Sequence, residues 1–288
     1  MNIEQGLEEN MKEISAVNGV CISLEERIKL LTMLDQLKSD IKCDEMQCWG
    51  KILGAEKDYY ISKALYYKGF QNFPKKKYFF CSSNNFIFSE LPDIQPHHID
   101  NFYKFNTYFI GNPDIILEKY ESEQNQNLDE IIGDTFKPKL KKKNMTETDR
   151  LSFVVRTIDH DTSVVPVGGF KMLPINELRR NDLFEGLSSE ELDKREKYAH
   201  FRPVENQEKK DKIAMGKAVF DFDFLDSIAD DPIKDSWTIH VDSTKTTCTL
   251  RNLIWPGYFA YHKANTDEFG GVYIGYGIKN IDIPFMQQ

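Results

Sequence analysis

Asp159-His160-Asp161 is the stretch of this chain whose residue types come nearest to a chemistry. A His-Asp pair is what helical metal-dependent phosphohydrolases use to hold an ion. Such a site needs further ligands converging on one point. Here the triplet lies between two strand-like runs, 151–158 and 163–167, and reads as the polar turn of a hairpin. A small metal-dependent hydrolase using Asp159, His160 and Asp161 is therefore the alternative function. His97 and His98 are adjacent and diverge by about 100° on a helix. Asp221, Asp223, Asp226, Asp230 and Asp231 lack the spaced glycine and closing glutamate of a calcium loop, and read as a solvated acidic face. Cys248 and His240 fall on neighbouring predicted strands where they can meet, but nothing marks a third group to orient them. Gly275-Tyr276-Gly277 opens a dinucleotide fingerprint, yet its third glycine is replaced by Asn280 and Pro284 precludes the helix that would bind pyrophosphate. Those glycines read as close packing of aromatic strands. Neither G-x-x-x-x-G-K-S/T nor G-x-S-x-G occurs. The expectation is a protein that is not an enzyme, with no catalytic, cofactor-binding or metal residues and no cofactor.

Charge narrows the partners. The formal net charge is −9, which opposes docking on nucleic acid or an anionic membrane. Five cysteines at irregular spacing, without a C-x-x-C, predict free thiols in a reducing compartment. The N-terminus lacks a signal-peptide pattern, and no run reaches the roughly 18 apolar residues of a membrane span. The expected setting is cytoplasmic, with no nucleic acid and no membrane partner.

The elements that position these residues read as α+β, with antiparallel β-sheets, an N-terminal amphipathic helix and a few short helices. Residues 1–22 read as a flexible tail and 23–288 as a single domain, interrupted by an exposed insertion at about 119–146 that carries Lys137, Lys139, Lys141, Lys142 and Lys143. Ser23 and Glu26 have capping-box spacing before Leu24, Ile28, Leu31, Leu34, Leu37 and Ile41, which make one apolar face. Hairpins are predicted over 48–54 with 59–66, and over 77–81 with 86–89. Pro96 suits the start of a short helix towards Phe105. Ser188 and Glu191 predict a capped helix to about His200. The last fifth alternates apolar and polar residues, as in Trp237-Thr238-Ile239-His240-Val241, and predicts strands over 237–241, 247–254, 258–262 and 271–276. Apolar residues on the outer sheet face are expected to centre any interface.

The more distinctive motifs are structural. In order they are Trp49-Gly50-Lys51-Ile52-Leu53-Gly54, Asp58-Tyr59-Tyr60-Ile61, Phe184-Glu185-Gly186-Leu187-Ser188 and His200-Phe201-Arg202-Pro203-Val204. Leu225-Asp226-Ser227, Ser236-Trp237, Leu250-Arg251, Trp255-Pro256-Gly257, Tyr273-Ile274-Gly275, Lys279-Asn280, Asp282 and Pro284-Phe285-Met286 follow. The series resembles the radial spoke head protein 9 family of motile cilia and flagella, from about Ser23 to the C-terminus. The part from Leu250 through Ile274 is also similar to radial spoke head proteins 4 and 6. The resemblance implies a non-catalytic structural subunit of the axonemal spoke head that relays mechanical signals between the central pair and the dynein arms. It implies other radial spoke head proteins, of the 4/6 type and other spoke subunits, as partners, with the central pair apparatus met indirectly. It places the chain in the cytoskeleton of the cilium. The tail, the 119–146 insertion and residues 263–269 depart from the family pattern.

Overall fold

The computed structural model describes residues 19, 22–96, 99–102, 105, 107–117 and 145–283. The predicted tail up to residue 18, the His97-His98 pair, the lysines of the insertion and Pro284 lie outside the described residues.

In chain order, α1 (Leu24–Ile41) leads into β1 (Glu45–Ile52), β2 (Tyr59–Tyr66), β3 (Lys75–Ser82), β4 (Ser89–Glu90) and the short α2 (Ile99–Phe102). Then come α3 (Glu147–Thr162), β5 (Val164–Pro166), β6 (Phe170–Met172), β7 (Leu178–Arg180), β8 (Tyr198–His200) and α4 (Gln207–Ala214). The chain returns as β9 (Trp237–Val241), β10 (Thr247–Asn252), β11 (Tyr258–Lys263) and β12 (Phe269–Gly275). Eight strands form one sheet in the order β4-β3-β2-β1-β12-β11-β10-β9, while β5–β8 and β6–β7 are small two-stranded pairs.

The α+β class holds, with one refinement. Each half of the large sheet is an antiparallel meander, but the halves meet through a parallel contact of β1 with β12, pairing Gly50 with Tyr273 and Ile52 with Gly275. This contact depends on Gly50, which sits at a bulge with φ +146°. A Cβ there would lie 2.0 Å from the Tyr273 carbonyl oxygen, so only glycine lets the strands approach.

Successive strand residues point to opposite faces, and both faces of the sheet centre are covered. On one side α1 buries Leu30 and Leu34, in a cluster with Ile22, Tyr60, Val272 and Ile274. On the other, α3 packs Leu151, Val155 and Ile158 against Ile52, Tyr59, Ile61 and Tyr273. A third cluster gathers Phe170, Phe201, Phe224 and Phe269 beside Leu65. The capping box at Ser23 and Glu26 forms as predicted. Leu24 and Ile28 stay exposed, so the buried stripe of α1 is narrower than the sequence pattern.

Three local predictions are corrected. The expected hairpin around Asp159-His160-Asp161 is the helix α3, which runs without a break through all three residues. Its Val, Phe and Ile content favours strand, but Leu151, Val155, Ile158 and Thr162 recur at helical spacing and are fully buried. A Thr146–Asp149 capping box starts it. The helix expected from Ser188 to His200 is a turn, a single 3-10 turn (Arg195–Lys197) and β8. Ser188 does meet Glu191, but the Leu192 carbonyl accepts from the Tyr198 hydroxyl, and β8 pairs with β5. The strand expected over 86–89 shrinks to β4, because Phe86 turns at φ +50° to stack on Tyr60.

Candidate functional site

Tyr59 and Tyr60 are consecutive on β2, so they point to opposite faces of the sheet. Each is held by a carboxylate from the helix on its side. Tyr59 donates to Glu147 Oε1 at 2.7 Å, at the start of α3. The same carboxylate accepts from the backbone amides of Ile110, Gly111 and Asn112 at 2.8–3.1 Å. Tyr60 donates to Glu26 Oε1 at 2.5 Å, in the first turn of α1. Lys51 bridges Glu26 at 3.2 Å and Asp58 at 2.8 Å. Burial pushes the Glu26 carboxyl up, but the Tyr60, Ser23 and Lys51 contacts outweigh it and hold it at about 2.

The far end of α3 is fixed by a third carboxylate. Asp159 is 3 % exposed. Lys63 of β2 donates to Oδ1 at 2.8 Å, while Lys76 of β3 at 2.6 Å and the Tyr78 hydroxyl at 2.8 Å donate to Oδ2. Burial disfavours the charged form, but the two ammonium groups outweigh it and hold the carboxyl well below the usual carboxylate range. Lys76 shows the converse: burial and Lys63 together bring its ammonium down to about 8, against the pull of Asp159. Such a cluster adds little net stability over an apolar replacement, whereas removing one partner costs about 3–5 kcal/mol. Its effect is to set where α3 seats on the sheet.

The predicted candidates do not converge. Asp159 faces the two lysines, and its oxygens are occupied by three donors. Asp161 accepts from Trp255 Nε1 at 2.9 Å. His160 is half-exposed between Asp161 and Glu205. Helical rotation of about 100° per residue separates them. Among the described residues no group of three His, Cys, Asp or Glu side chains is placed to hold a metal ion.

Cys248 and His240 do not meet either. Cys248 pairs with Val241 and is buried with its thiol on the Leu192 carbonyl, while His240 is exposed on the other face. The acidic stretch is partly internal: Asp226 accepts from the Glu205 and Asn206 amides, and Asp231 holds His200 at 2.7 Å and Trp237 Nε1 at 2.8 Å. Gly277 has φ +68° and donates to the Tyr273 hydroxyl, consistent with close aromatic packing. The large exposed apolar side chains among the described residues lie on α1 and on loops, not on strands; Phe220, Leu183 and Met215 are the most open. The outer sheet face expected to centre an interface is covered by α1 over β1, β2 and β12.

What the geometry offers is a sheet with helices locked onto both faces by carboxylates. A family model described as radial spokehead-like protein matches residues 4–75. Proteins named radial spoke head protein 9 homolog are similar over nearly the whole chain. The human one is 33% identical, covering 95% of this chain and 96% of its own. The chain belongs to the radial spoke head protein 9 family. The zebrafish (Danio rerio) relative is 32% identical and the mouse (Mus musculus) relative 31%, with the same coverage.

In this family member the sequence motif Asp58-Tyr59-Tyr60-Ile61 is thus the hinge point of both helix locks. Glu147, Lys63 and Lys76 escaped sequence reasoning. The signal that marks the lysines is a charge inside an aromatic, buried strand, which has to find a carboxylate.

Proposed function

We propose that this chain is a non-catalytic structural subunit of the axonemal radial spoke head in motile cilia or flagella. Similarity to radial spoke head protein 9 homologues over 95% of the chain carries this reading. The residues support it, because their polar chemistry is spent internally: Glu26, Glu147 and Asp159 each tie a helix to the sheet. A part that helps relay mechanical signals between the central pair and the dynein arms needs a fixed shape, and dense packing with satisfied polar groups supplies one. Partners are other radial spoke head proteins, of the 4/6 type among them. Residues 23–288 act as one domain, with 119–146 as an insertion in it. Among the described residues no helix is long and apolar enough to cross a membrane.

The test is fractionation. The tagged chain, expressed in a motile ciliated cell, stays with the axoneme after detergent removes the membrane and matrix. It then co-purifies with other spoke-head proteins when the spokes are released. Complete recovery in the detergent-soluble fraction overturns the proposal.

A further inference from the structure

The Asp159 cluster holds more positive than negative charge, and a cavity opens beside it. Lys63 is 5 % exposed. Its ammonium has three N–H groups, but Asp159 is the one acceptor it meets among the described residues. A cavity of about 50 Å³ lies against it, lined also by Gln47, Asp159, Ser163 and Arg180. That is several times the space one water molecule needs. Arg180 donates to the Asp267 carbonyl and lies over the Phe269 ring, without a carboxylate partner among the described residues.

Asp159 of α3 is met by Lys63 of β2 and Lys76 of β3, and Arg156, one turn earlier on α3, lies over the Tyr78 ring with Asp93 as its partner. Arg180 of β7 lines the cavity with Lys63 and Asp159, while Glu45 of β1 is held by Gln47 and the Tyr67 hydroxyl. Lys63 and Lys76 thus share one carboxylate, with Tyr78 neutral on Asp159. Water would satisfy the spare N–H groups of Lys63 but leave two buried ammonium groups on one buried carboxylate, an excess charge that is costly in a low-dielectric interior.

We propose that the cavity between Lys63 and Arg180 binds one small monovalent anion of the halide class, which completes the lock between α3 and the sheet. The size of the cavity admits chloride or bromide and excludes a large organic anion. Lys76 does not line the cavity but shares Asp159 with Lys63, so its charge leaves less of that carboxylate to offset Lys63. The site therefore weakens as the pH rises through about 8, where Lys76 gives up its charge.

Thermal unfolding of the full chain, in sodium chloride and in sodium gluconate at equal ionic strength, tests the site. Chloride raises the melting temperature in a saturable way at pH 7, and the increment shrinks by pH 9. Arg180→Gln leaves the Lys63–Asp159 pair intact and weakens the apparent chloride affinity by about tenfold or more, the loss of one favourable charge contact. Lys63→Met abolishes the chloride effect. Crystals of the unaltered protein soaked in bromide decide the matter if Lys63→Met does not fold: they show anomalous density at hydrogen-bond distance from Lys63 Nζ. Equal melting in the two salts, or a cavity that holds water alone, overturns the proposal. Bromide density without any difference between the salts is an adventitious ion only and overturns it as well.

Discussion

His262 shows how a single buried side chain is committed to one protonation state. It is 1 % exposed on β11. Its Nε2 accepts from the Leu187 amide at 3.0 Å, while Nδ1 donates to the Glu268 carbonyl at 3.1 Å. Both nitrogens are satisfied only when the ring is neutral, and a proton on Nε2 would break the bond to Leu187. Burial accordingly lowers its pKa to about 4, with the Glu268 carbonyl opposing weakly. A histidine depressed in the folded state contributes stability above its unfolded value, near 6.5, and loses it as pH falls towards 4, where the unfolded chain takes up a proton that the folded chain refuses. About 3 kcal/mol is lost across that window. Urea unfolding at pH 7, 6 and 5 should trace this slope, and His262→Gln should flatten it. An equal slope in the variant would assign the acid sensitivity to other groups. Glu26 adds its loss lower, between about 4.5 and 2.

At the scale of elements, α3 and β1 are decided by opposite kinds of residue. Helix α3 keeps its form although β-branched side chains disfavour it, because its apolar positions find partners around it and its two ends are pinned by Glu147 and Asp159. Strand β1 depends on an absence, since Gly50 has no side chain to strike Tyr273. Gly50→Ala should therefore cost about 3 kcal/mol or more, as backbone strain and overpacking add. Gly69→Ala is the control. Gly69 has φ +80° but open space around a Cβ, so about 1–2 kcal/mol is expected there from strain alone. Denaturant midpoints compare the two. Equal losses would show that the close approach of β1 and β12 costs nothing to disturb.

For the whole molecule, the sheet is two antiparallel halves joined at one parallel seam. The seam alone is a weak tie, with three residue pairs. The cluster around α3 spans it, holding Tyr59 and Phe80 from one half and Trp237, Leu250 and Tyr258 from the other. The halves should thus unfold together. Tryptophan fluorescence follows Trp49 in the first half and Trp237 and Trp255 in the second, and far-UV circular dichroism follows the backbone. Coincident transitions with the two probes are expected. A separate early transition in either would mean that the seam and α3 do not couple the halves.

The sequence alone was enough for the α+β class, the capped α1, the β1–β2 hairpin and the C-terminal meander, because cap spacing and period-two alternation are local signals. The ordered motifs also carried the family. The helix over 151–162 was signalled in the sequence by its Thr146–Asp149 cap and helical spacing, but a β-branched run competes with those signals, and the buried neighbours that decide arrive from distant strands. The sequence could not reveal that Asp159 serves two lysines 96 and 83 residues away, at 2.8 and 2.6 Å. Charge pairing in a buried site is set by which elements lie side by side, and here α3 crosses the β2–β3 pair that carries both lysines. Tertiary structure therefore turned a suspected metal ligand into the anchor of a helix.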